Sequence, residues 1–293
     1  MTASAPVRCV LIKLGGAFFT DKKVPGKVHP ERMRDFCRDL AKAIKTQLRP
    51  AGLSVILVSG GGSIGHHAAR RFRVPLGAAE CDLLQVFQMS EAMLTMKADL
   101  CREFMACGLP SFPFQEAALA YVNDTGAIEL HSRPLMHSLH LSLLPVLSGG
   151  FVFDEALGVR PLNGDKLMAQ LVGLPTLVVE RAVFLSGQDG LLDIDSRPVP
   201  RLKGSDRDYA RSLVRNFESS GVDVTGGMLA KLECCFAISR HGTEARILSG
   251  SNLGAEGLGQ VLLGQTDRGT LFEPQTALRD INPVSRISLS HTE

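Results

Sequence analysis

Apolar residues arrive in short runs along this chain, and longer stretches with helical spacing separate them. VRCVLIKL (7–14) is a strand-like run that closes on Gly15-Gly16, and LSVILVSG (53–60) repeats the form and closes on Gly60-Gly61-Gly62. LLPVLSGGFVFD (143–154), TLVVERAVFLSGQDGLL (176–192) and ARILSGSN (245–252) read the same way, with SFPFQ (111–115) as a further strand end. Phe36, Leu40 and Ile44 fall at four-residue intervals in a helix that His29-Pro30-Glu31 opens and that runs to about Thr46. Helices are also expected over 64–72, over 81–107, after Gly164-Asp165 and within 221–240. Buried strands alternating with helices imply a mostly parallel sheet covered on both faces. The expected fold is therefore α/β, a three-layer αβα sandwich with a mostly parallel open sheet. A soft division is expected near 175–180, and the residues after Phe272 read as a weakly ordered tail.

Composition changes this picture little. Hydrophobic residues make up 45% and charged residues 21% of 293, the balance of an ordinary soluble globular protein. With 32 basic against 30 acidic residues the formal charge is +2, and no block of one sign stands out. Neither a nucleic-acid partner nor a membrane surface is expected. No apolar run approaches the roughly 18 residues that span a bilayer, and the first residues lack the pattern of a leader, so a cytoplasmic protein is expected. The seven cysteines are odd in number, irregularly spaced and without a CxxC pair. Buried reduced thiols are expected, with no protein-bound metal site.

The chemistry concentrates at the glycine turns. Gly15-Gly16, Gly60-Gly61-Gly62, Gly149-Gly150, Gly187-Gln188-Asp189-Gly190 and Gly226-Gly227 each stand at an expected strand end or helix start. Ligands of open α/β sheets bind beyond the carboxyl ends of strands, where backbone N–H groups suit phosphate oxygens. There is no GxxxxGK[ST], and the GxGxxG-like spacing through Gly60, Gly62 and Gly65 lacks the acidic residue expected after a second strand. Lys13 interrupts an apolar strand and needs a partner or a ligand, because burying an unpaired ammonium is costly. Asp165, in LNGDK, is a fitting carboxylate partner.

IKLGGAFFTDK, VSGGGSIGHH, LNGDK, SGQDG and DVTGGMLAKLE together resemble the amino acid kinase superfamily, in its branch of isopentenyl phosphate kinases and fosfomycin resistance kinases. The resemblance runs from about residue 7 to 265. It implies an acceptor-binding part, 1–178, a nucleotide-binding part, 179–270, and a tail, 271–293, with ATP and magnesium as cofactors. Lys13, Lys22 and Lys231 would serve the transferring phosphoryl group, and Asp165 would organise the lysines. The acceptor, a small anionic molecule, would be held by Gly61, Gly62, Gly65, His66, Asn163 and Gly149. The nucleotide would be held by Lys13, Gly15, Gly16, Ser186, Asp189, Gly190, Thr225, Gly227 and Lys231. His66 would donate a charge-assisted hydrogen bond to a phosphate or phosphonate. The family commonly forms homodimers, for which the 81–107 helix is a candidate surface. Two positions depart from the family's pattern: Gly150 stands where an Asp often follows Gly149, and Gly187 stands where the first Asp of TDVDG would be.

Two acceptors compete. Ser59 before the three glycines, FPFQEAA and LPVLSGG lean toward fosfomycin, while Asn163-Gly164-Asp165 and GTLFEP lean toward isopentenyl phosphate. Fosfomycin is the favoured reading and isopentenyl phosphate the alternative. The latter would need an apolar tunnel, which Leu83, Leu84, Phe87, Met89, Met93, Leu94 and Met96 could line.

Overall fold

The computed structural model describes residues 5–18, 29–61, 78–79, 81–219 and 227–275. The expected helix at 64–72 and most of the tail lie outside them. In chain order, β1 (Val7–Leu14) is followed by α1 (Pro30–Ala43), β2 (Ser54–Ser59), α2 (Leu83–Ala106) and β3 (Ser111–Pro113). Then come α3 (Glu116–Leu119), β4 (Ala120–Val122), β5 (Ile128–Leu130), α4 (Ser132–His140), β6 (Leu144–Ser148), β7 (Gly150–Asp154) and β8 (Gly158–Leu162). The rest is α5 (Gly164–Val172), β9 (Leu177–Ser186), β10 (Arg201–Leu202), α6 (Arg207–Ser219), α7 (Met228–Arg240), β11 (Glu244–Ser249), α8 (Gly254–Leu262) and β12 (Thr270–Phe272).

Eight strands form one sheet in the order β10-β12-β11-β9-β1-β2-β6-β3. Every pairing in it is parallel except β11 with β12. The three-layer sandwich expected from the sequence is what forms, because each central strand is apolar on both faces. Cys9 and Leu11 of β1, Ile56 and Val58 of β2, and Ala182 and Phe184 of β9 pack into one core with α4, α5, α6 and α7. Val10, Ile12 and Leu14 of β1, Val55 and Leu57 of β2, and Val183 and Leu185 of β9 pack into the other with α1, α2 and α8. Full burial of each valine, leucine, isoleucine or phenylalanine among them contributes about 1.5–3 kcal/mol.

Local signals set the helix starts. Pro30 occupies the first turn of α1, where its missing N–H costs nothing. Asp82 caps α2 by accepting from the Gln85 N–H at 3.2 Å. Asn163 caps α5 by accepting from the Asp165 N–H at 2.7 Å.

The apolar stretch 143–154 is two strands, not one. β6 ends at Ser148 in the main sheet, and after Gly149 the chain enters a second, four-stranded sheet ordered β5-β4-β7-β8. This smaller sheet stands beside the end of β6 and packs against the amino-terminal half of α2. There Val86, Met89, Phe151 and Val159 form a small apolar cluster of their own.

Candidate active site

The parallel strands bring their carboxyl ends level. Leu14 is in register with both Ser59 and Leu185, and Ser59 with Ser148. The ladder continues one step into the turns: the Gly60 N–H donates to Leu14 O at 2.7 Å, the Gly15 N–H to Leu185 O at 3.0 Å, and the Gly250 N–H to Ser186 O at 3.0 Å. Close approach of backbones explains the glycines. A Cβ on Gly60 would stand 2.5 Å from the Gly16 nitrogen, and one on Gly149 would stand 3.0 Å from the Gly164 nitrogen.

Alternation along β1 decides where Lys13 points. Cys9 and Leu11 face the core beneath α5, and Lys13, two residues on, faces the same side. Its ammonium lies 3.5 Å from Asp165 Oδ1, and both side chains are about one-tenth exposed. That distance is too long for a good hydrogen bond, and Asp165 Oδ1 accepts none from the described residues. The pair is thus a buried ion pair with unused acceptor capacity on the carboxylate. Gly164 completes the fit, since a Cβ there would lie 2.8 Å from Lys13 Cε.

Cys234 of α7 donates its S–H to the Asp165 carbonyl at 2.6 Å. Burial pushes this thiol well above the ordinary cysteine value and Asp165 adds to the rise, while the Lys13 and Lys231 ammonium groups oppose it. Lys231 is thus near enough to bear on the same thiol as Lys13 and Asp165. It sits in the first turn of α7, its N–H donating to Gly227 O at 3.1 Å.

The sequence-predicted residues divide into three groups. Lys13, Gly15, Gly16, Gly61, Gly149, Asn163 and Asp165 lie at the shared end of β1, β2, β6 and the start of α5, with Gly227 and Lys231 approaching from α7. Ser186, Asp189 and Gly190 belong to the next turn. There the Ser249 N–H donates to Asp189 Oδ1 at 3.1 Å, and Gly190, at φ +106°, leaves no room for a Cβ beside Thr270. Asp189 thus locks that turn onto β11. Lys22, Gly62, Gly65, His66 and Thr225 lie outside the described residues.

A triphosphate and its magnesium suit this donor set. Magnesium is held by one or two carboxylates together with nucleotide phosphates, and Asp165 offers a buried carboxylate oxygen without a hydrogen bond. Lys13 offers the positive charge, and the glycine turns leave backbone exposed to close approach.

Sequence reasoning missed a second buried charge pair. Lys97 of α2, almost wholly buried, donates to Glu116 Oε1 and Oε2 at 2.7 and 2.8 Å and to Phe114 O at 2.5 Å. Glu116 Oε1 also accepts from the Ser148 N–H at 2.7 Å and the Ser148 hydroxyl at 3.1 Å. Burial pulls the Lys97 ammonium below its ordinary value, and Glu116 opposes that shift. In QMSEAMLTMKADL the lysine has the look of a solvated helix position, and nothing in the spacing signals its partner.

A family profile described as the amino acid kinase family matches residues 8–249. Over 264 residues the chain is 23% identical to an isopentenyl phosphate kinase of Methanocaldococcus jannaschii, covering 88% of this chain and 96% of that protein. It is 23% identical over 302 residues to an isopentenyl phosphate kinase of Arabidopsis thaliana, covering 84% of this chain and 88% of that one. Among solved structures, an isopentenyl phosphate kinase superposes with a TM-score of 0.71 at 20% identity, over 90% of this chain and 99% of that one. An aspartate kinase from Synechocystis superposes with a TM-score of 0.63 at 12% identity, over 93% and 40%. At such identities the structural likeness establishes the fold.

Proposed function

As this chain belongs to the amino acid kinase family and is a phosphotransferase of that kind, we propose that it moves the γ-phosphoryl group of ATP onto isopentenyl phosphate. The curated relatives named above are isopentenyl phosphate kinases, which supports the alternative acceptor over the fosfomycin favoured by the turn residues. The observation that carries the choice is the apolar surface at the start of α2, where Leu83, Leu84 and Phe87 are 41%, 70% and 46% exposed. It adjoins Phe151, whose ring meets that of Phe87 edge-on at 5.5 Å, one residue past Gly149-Gly150 on the proposed acceptor side, where a five-carbon tail would extend. Fosfomycin, small and polar, has no use for such a surface.

In this reading the acceptor and nucleotide occupy the 1–178 and 179–270 parts respectively. An oxygen of the acceptor phosphate attacks the γ-phosphorus in line; the new P–O bond forms as the bond to the β-phosphate oxygen breaks and ADP leaves. The acceptor is already ionised, so no side chain has to remove a proton. Lys13, with Lys22 and Lys231, offsets charge on the transferring group, and Asp165 keeps Lys13 aimed. His66 and the Gly61, Gly62 and Gly65 backbone hold the acceptor anion. When bound, magnesium supplies positive charge across the nucleotide phosphates.

The test is ADP release with magnesium-ATP, comparing isopentenyl phosphate with fosfomycin. A specificity constant at least about a hundredfold higher for isopentenyl phosphate is expected. The reverse order would sink the acceptor assignment and restore the antibiotic reading. His66→Ala should raise the acceptor KM while leaving ATP binding intact.

A further inference from the structure

The Lys97–Glu116 pair lies outside the lysine machinery, yet it grips the main chain that forms one wall of the site. β3 pairs with β6 only as far as Pro113 with Val146. Past that point Ser148, fully buried, has no strand of the described residues beside it on the β3 side. Glu116 takes the strand's place by accepting from both the Ser148 N–H and its hydroxyl. The next residue is Gly149, whose Cα sits against Gly164 and, through it, against Lys13.

Lys97 holds the carboxylate in turn. Its three ammonium protons meet three acceptors, the two Glu116 oxygens and Phe114 O. The pair is satisfied, but burial of an ion pair gives little net stability, and apolar replacements are often neutral or better. Its geometry therefore points to placement rather than strength. The position is also specific: a Cβ on Gly150 would lie 3.4 Å from Glu116 Oε2. A carboxylate reaching in from α3 thus occupies the space beside residue 150, where this chain carries no side chain of its own.

We infer that Glu116 is a positioning residue, which with Lys97 fixes Ser148 and Gly149 so that the β6 turn presents its backbone correctly to the acceptor. The inference rests on the acceptor side proposed above, and it acts through main chain without touching substrate. Glu116→Gln keeps the shape but weakens both hydrogen bonds to Ser148 and leaves Lys97 without its counter-charge. A residue that only adds stability would shift the melting temperature and leave the kinetics of the folded enzyme alone.

The experiment compares wild type, E116Q, G150D and E116Q/G150D by steady-state kinetics with isopentenyl phosphate, and by amide hydrogen exchange. E116Q is expected to raise the acceptor KM about tenfold, with kcat and the ATP KM within about twofold. Exchange at the Ser148 and Gly149 amides should quicken about tenfold or more. G150D alone sets a second carboxylate against Glu116 and impairs the enzyme. E116Q/G150D returns a single carboxylate to the same space and brings the acceptor KM back to within about threefold of wild type, a coupling that independent sites do not show. If E116Q alone does not fold, K97M/E116Q leaves no unpaired buried charge and carries the same two readouts. An unchanged acceptor KM with a lowered melting temperature overturns the inference. If wild type does not phosphorylate isopentenyl phosphate, the proposed acceptor fails, and exchange decides the positioning role: unchanged rates at Ser148 and Gly149 in E116Q overturn it too.

Discussion

Lys13 Nζ stands 3.5 Å from Asp165 Oδ1, and this contact ties the end of β1 to the first turn of α5. Lys13→Met keeps the volume and removes the charge. Turnover should fall at least about a hundredfold, and the stranded Asp165 should cost about 3–5 kcal/mol in stability. Lys13→Met combined with Asp165→Asn should recover most of that stability and none of the activity. Urea unfolding alongside ADP release measures both, and recovery of turnover in the double variant would refute the role given to Lys13.

Gly164 gives a gentler way to move the same lysine. A Cβ at 164 meets Lys13 Cε at 2.8 Å, so the side chain has to shift. Gly164→Ala should lower kcat about tenfold or more through misplacement while the chain still folds. Gly60→Ala should do more damage, because its Cβ meets backbone at Gly16 rather than a flexible side chain. A kcat for Gly164→Ala within twofold of wild type would show that the lysine has slack.

Acid should loosen the packing of α6 against α7. Burial alone would raise the Glu233 carboxyl, but hydrogen bonds from Arg211 and Arg207 outweigh it and hold the value below the ordinary 4.5. The unfolded chain then binds the proton more readily than the folded one. This contribution is present above about pH 4.5 and is lost as pH falls through the lower folded value. Glu233→Gln should flatten the dependence of melting temperature on pH in that range and lower stability at neutral pH. Equal acid slopes in the two proteins would contradict it.

The turn after β9 should be intolerant at Gly190. Its φ of +106° suits glycine alone, and a Cβ would stand 2.8 Å from the Thr270 nitrogen. Gly190→Ala should cost about 1–3 kcal/mol of stability and raise the ATP KM, since Asp189 beside it fastens this turn to Ser249. Thermal melting with and without ATP would reveal both effects.

Much of this was legible in the chain itself. β1, β2 and α2 fall within a few residues of their expected bounds because each is a long apolar run or a sustained helical stripe. Lys13 with Asp165 was readable because a lysine inside an apolar strand demands a partner. The second sheet was not. Its strands β4 and β5 have three residues each, too short for a period to register, and β7 continues β6 without a polar break. The helix α6, RDYARSLVRNFES, was legible in principle, since Ala210, Leu213 and Val214 stand at helical spacing on its buried face, but five charged residues interrupt so short a stripe. Glu116 escaped for another reason: its meaning depends on Lys97, nineteen residues away, and on an amide of β6.

Because β1 lies between β2 and β9 and keeps register with both from Val10 to Leu14, the sheet works as a ruler. The turn that follows β2 and the turn that follows β9 are two strand spacings apart, about 10 Å, and neither can drift without breaking the hydrogen bonds of β1. In the proposed reading, the gap between donor and acceptor is therefore set by the width of a peptide ladder. What remains adjustable is the depth to which each substrate enters its turn.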